Sequence, residues 1–85
     1  MKTFLQLSPL AQNVVLQMKY EKAGAGHEVS VTSILLAASR RHLRIREVLG
    51  AIGECVEAGW MEAHSGSPDR VCLTSEGFTM LALMP

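Results

Sequence analysis

Eighty-five residues, 48% hydrophobic and 19% charged, describe one small domain near the lower limit for folding without metals or disulfides. That apolar share excludes intrinsic disorder, and no apolar run reaches the length of a membrane span. Lysine and arginine balance aspartate and glutamate at eight each, so a general polyanion binder is not expected.

Residues 1–7 carry Phe4, Leu5 and Leu7 with little helical punctuation, and lack the long apolar stretch of a signal peptide. A cytoplasmic protein is therefore expected. Ser8-Pro9 reads as a helix start, Ser8 as N-cap and Pro9 where its missing N–H is no loss. Leu10, Val14, Val15 and Met18 then mark a first helix over about 9–22. Ala23-Gly24-Ala25-Gly26 ends it as a flexible connection.

Glu28-Val29-Ser30-Val31 alternates and suits a short strand. Thr32 is the expected N-cap of a second helix over about 33–40, burying Ile34 or Leu35, Leu36 and Ala37. A third helix over about 44–58 has apolar residues at 45, 48, 49, 52, 55 and 56, the spacing of one helical face. Gly59 ends it. Trp60-Met61-Glu62-Ala63-His64 and Arg70-Val71-Cys72-Leu73-Thr74 read as a two-stranded wing over 60–74, joined through Ser65-Gly66-Ser67-Pro68-Asp69. Thr74 or Ser75 then caps a last helix over about 75–83, which carries Phe78, Leu81 and Leu83.

The order α-β-α-α-β-β-α over 1–85 is mainly α with a small β-hairpin, an α+β class. Residues 31–61 resemble the winged helix-turn-helix of small prokaryotic transcription regulators. The resemblance rests on Leu36-Ala37, on Val48, Ile52 and Cys55 or Val56, and on the helix exit Glu57-Ala58-Gly59-Trp60-Met61. Val71-Cys72-Leu73-Thr74-Ser75-Glu76-Gly77 is similar to the returning strand and "LT-x-x-G" sequel of the same group, so the likeness spans about 9–84. It implies double-stranded DNA as partner, with the third helix in the major groove and the wing on flanking backbone.

Four of the five arginines stand at the junction of the second and third helices, Arg40, Arg41, Arg44 and Arg46, with His42 among them and Leu43 pointing inward. Arg46 is the best candidate for a base, because a guanidinium grips guanine O6 and N7 with two hydrogen bonds. Arg40, Arg41 and Arg44 are expected on phosphates, which fix position without reading sequence. Glu47 could accept from cytosine N4 but is better read as pairing with a neighbouring arginine. The face opposite the core is expected to hold Arg46, Glu47, Gly50, Ala51 and Glu54. Gly50 would let a partner approach closely, whereas Gly53 would relieve crowding against the first helix. The wing tip holds His64, Ser65, Ser67 and Arg70, and the resemblance implies that this hairpin touches the minor groove or flanking phosphates, with Arg70 as the candidate contact.

No catalytic constellation is visible. His27, His42 and His64 lack partners at metal or general-base spacing, Cys55 and Cys72 form no CxxC, and Gly24-Ala25-Gly26 lacks the lysine and strand of a phosphate loop. Neither an enzyme nor a cofactor or metal is expected, and the two cysteines read as free and buried. Surplus apolar residues at the ends, Phe4, Leu5, Leu7, Met80, Leu83 and Met84, suggest a homodimer interface. The alternative to a DNA-binding regulator is a winged helix used for protein–protein contact within a larger assembly.

Overall fold

A computed structural model describes residues 1–20, 28–63, 66 and 69–83. The expected glycine-rich connection at 23–26, and His27, His64, Ser65, Ser67, Pro68 and Met84, lie outside the described residues.

Its architecture is α+β. A 3₁₀ turn (Phe4–Gln6) leads into α1 (Pro9–Tyr20), β1 (Val29–Ser30), α2 (Val31–Arg40), α3 (Ile45–Glu57), β2 (Met61–Ala63), β3 (Arg70–Leu73) and α4 (Ser75–Ala82). The strands form one antiparallel sheet in the order β1-β3-β2. Val29 stands opposite Val71, and Met61 opposite Leu73. Pairing of the short first strand with the returning strand of the hairpin had no signal in the sequence beyond its alternation. It anchors the N-terminus of α2 to the sheet, where Val31 N–H donates to the Asp69 carbonyl at 2.7 Å.

Ser8 caps α1 as the sequence indicates: its Oγ accepts from Ala11 N–H at 3.2 Å. The start of α2 differs from the expectation. Ser30, not Thr32, is the N-cap, its hydroxyl accepting from Thr32 N–H, so the helix begins two residues earlier. Its buried residues are Ile34 and Ala38, with Leu36 exposed and Leu35 and Ala37 half-buried.

Helix α3 is turned relative to the expected face as well. Val48, Ala51, Ile52 and Cys55 are buried, whereas Ile45 and Leu49 are 51% and 46% exposed. Two contacts to α1 set this rotation. Glu54 carboxylate oxygens accept from the Ser8 N–H at 2.7 Å and from its hydroxyl at 2.8 Å. One residue on, the Cys55 thiol donates to the Ala11 carbonyl at 3.5 Å. Ala51 is therefore core, not surface. Burial, with the Glu54 charge adding to it, pushes the Cys55 thiol up to about 12.

Trp60, wholly buried, organises the far end of α3. Its indole N–H donates to the Lys2 carbonyl at 2.8 Å, and Phe4 meets its ring edge-on at 6.1 Å. Thr74 links the same spot to α4: its N–H donates to the Trp60 carbonyl, its hydroxyl donates to the Gly59 carbonyl at 2.6 Å and accepts from Gly77 N–H at 2.9 Å. A β-carbon on Gly77 would collide with the Trp60 carbonyl, which gives the Leu73-Thr74-x-x-Gly77 pattern its physical reason. Both cysteines are free and buried; Cys55 belongs to the main core, while Cys72 lies outside it with its thiol 3.7 Å from Glu62 Oε1. No buried side chain among the described residues is polar or charged apart from these thiols.

Candidate functional site

The α2–α3 junction is built by the backbone first. Helix α2 closes with His42 N–H donating to the Ser39 carbonyl and Leu43 N–H to the Ala38 carbonyl, both at 3.0 Å. His42 makes the turn in the left-handed region, φ 60°, a place usually held by glycine. Leu43 tucks against the core, as expected from sequence. This reversal projects Arg40, Arg41, His42, Arg44 and Arg46 to the surface, all of them exposed.

The arginines are not equivalent. Arg41 Nη1 donates to Asn13 Oδ1 on α1 at 3.0 Å, so that guanidinium is partly committed to the fold. Arg40, Arg44 and Arg46 make no side-chain ion pair among the described residues. Glu47, also exposed, forms no ion pair with a neighbouring arginine, contrary to the sequence expectation; it stands in the first turn of α3, where a carboxylate suits the positive helix end. Arg70 at the start of β3 is exposed but 3.9 Å from Glu28, which offsets its charge.

Sequence reasoning missed one feature of this junction. Arg44 is the N-cap of α3 and supplies no side-chain hydrogen bond to the helix. The first N–H groups of α3 thus remain without a capping acceptor among exposed guanidinium groups, an arrangement that favours an anion. The signal was available: an arginine stands where serine, threonine, aspartate or asparagine is usual.

Along the open face of α3, Arg46 is followed by Gly50 and Gly53, both exposed. A β-carbon at either would meet nothing within 4 Å. Gly53 is therefore not relieving crowding against α1, and neither glycine is demanded by packing.

The terminal apolar residues divide. Leu7, 3% exposed, belongs to the chain's own core and is not free for a partner. Phe4 and Met80 are partly buried against that core. Leu5 and Leu83 remain 86% and 78% exposed, with Met1 and Phe78 exposed nearby in sequence. Among the described residues no trio of His, Cys, Asp and Glu stands where it could hold a metal, and no helix is long and apolar enough to cross a membrane. No family model, curated protein or solved structure matches the chain.

Proposed function

We propose that this chain is a winged helix-turn-helix protein that binds double-stranded DNA and regulates transcription. Helix α3 would enter the major groove, Arg46 reaching a guanine edge while Arg40, Arg44 and the uncapped N-terminus of α3 hold phosphates. The observation that carries this reading is the set of outward guanidinium groups at Arg40, Arg44 and Arg46, without an ion pair among the described residues. The helix dipole strengthens it. Arg44 and Arg46 stand at the positive end of α3, where the dipole disfavours a cation, although Glu47 in the same turn suits it. Cations held there against their local interest are suited to an external anion. Arg41 and Arg70, tied to Asn13 and Glu28, take secondary roles.

One copy offers few cations, so affinity at physiological salt favours two copies on paired half-sites. The exposed Leu5 and Leu83 are the residues best suited to join them, a homodimer checked by sedimentation as a function of concentration. A second reading has its own support: Leu36, Ile45 and Leu49 are exposed near the same junction and would suit a protein partner.

A salt series decides between them. Duplex affinity should fall steeply with added salt, and Arg40→Ala with Arg44→Ala should reduce the log–log slope by about two. A chain that retains no duplex even in low salt is not a DNA-binding protein.

A further inference from the structure

Phosphate binding leaves one part of the α3 surface unexplained. Arg46, Gly50 and Gly53 form a line along the open face, and beside it Ile45 and Leu49 stand half out of the protein. A solvent-facing helix position accepts lysine, glutamate or glutamine readily, and the local propensity of those residues exceeds that of glycine. Here the strip beginning at a guanidinium is instead apolar on one flank and low along its centre, with open space above each glycine.

Base edges match that shape and chemistry. In the major groove thymine presents a C5-methyl group, which apolar side chains contact, and guanine presents the acceptor pair suited to arginine. Glycines at 50 and 53 let those edges come close to the helix backbone. Arg40 and Arg44, exposed at the junction from which α3 starts, would draw in the surrounding phosphates, a charge complementarity that favours duplex DNA over an apolar protein surface. Resting on the DNA-binding reading, we propose that Leu49, with Ile45 beside it, reads the methyl group of a thymine neighbouring the guanine held by Arg46.

The test uses the intact chain and duplexes recovered by repeated selection from a random pool. In the tightest duplex each thymine is replaced singly by deoxyuridine, which deletes only the methyl group. One replacement should weaken binding about fourfold, the worth of one methyl-sized group removed from water. Leu49→Ala should bind the parent duplex more weakly and be indifferent to that same replacement. The deoxyuridine series on the unaltered protein stands even if the variant folds poorly. If selection yields no preferred sequence, every replacement is silent, or the methyl effect persists in Leu49→Ala, the thymine assignment is overturned while DNA binding stands. If no duplex is retained in low salt, the DNA reading itself fails, and the strip is a protein-docking face.

Discussion

Helices α2 and α3 end with the same pair of backbone hydrogen bonds around a left-handed residue, yet the two ends are made differently. At the end of α3, Gly59 turns the chain at φ 88° and Trp60 follows it into full burial. At the end of α2, His42 makes the same turn at φ 60°, accepting a β-carbon where about 1–2 kcal/mol is lost in that conformation. The contrast extends outward. Around Gly59 the local groups are satisfied: Thr74 bonds in three directions and Gly77 fits against a carbonyl. Around His42, α3 begins without a side-chain cap, Arg44 and Arg46 stand at its positive end, and Gly50, in its second turn, serves no packing. Local preferences and structure agree at one end and conflict at the other. Conflict of that kind concentrates where residues are kept for contacts outside the fold.

The sharpest way to break this comparison is at Trp60. Trp60→Ala should cost about 3–5 kcal/mol, as for a large aromatic removed from a core. In a domain this small that approaches the whole stability, and chemical denaturation should show a largely unfolded chain. A loss under about 1 kcal/mol would mean that the Trp60 end is not the structural anchor. The next effect is one substitution with opposite signs. Gly77→Ala should destabilise by about 1–3 kcal/mol, because its β-carbon meets backbone that cannot yield. Gly50→Ala and Gly53→Ala should each stabilise by up to about 1 kcal/mol, since helix propensity improves with nothing to clash. The same two variants should bind the selected duplex more weakly if the low strip on α3 receives base edges.

Much of this division can be read in the sequence, and the part that cannot has identifiable causes. Ser8-Pro9, Gly59 and Thr74 specify helix boundaries through capping chemistry local to a few residues, and each operates in the structure. Helix rotation is another matter. Periodicity marked 45, 48, 49, 52, 55 and 56 as one face, but a stripe that broad leaves room for a turn of the helix in either direction. The choice was made by Glu54 reaching Ser8, a polar contact between residues far apart in sequence. Ala51 is buried for that reason, and Leu7 joins the chain's own core, which a short apolar segment does not reveal by itself. The clustering of arginines was visible, whereas the engagement of Arg41 by Asn13 and Arg70 by Glu28 depended on tertiary proximity.

His42→Gly probes the left-handed turn itself. Removing the β-carbon should stabilise the fold by up to about 1 kcal/mol, while Gly59→Ala should destabilise it by a similar or larger amount. Thermal unfolding of both variants is the measurement. Equal losses in the two would show that the imidazole contributes to the fold and would remove the contrast between the two helix ends.

The smallest effect expected concerns acid. Two hydrogen bonds from Ser8, first its backbone N–H and then its hydroxyl, hold the Glu54 carboxyl below its ordinary value of 4.5, with Lys2 adding a weaker pull and partial burial opposing both. A carboxyl depressed on folding binds its proton more readily in the unfolded chain, so its contribution to stability is present above about pH 4.5 and is lost as pH falls through the folded value. Glu54→Gln should therefore leave a fold that is somewhat weaker at neutral pH and falls less steeply as pH drops below about 4.5. Denaturation midpoints across that range measure the difference between the two proteins. Parallel acid limbs would show that the Ser8–Glu54 contact does not tie α1 to α3 in solution, and the account of why α3 buries Ala51 while exposing Leu49 would lose its cause.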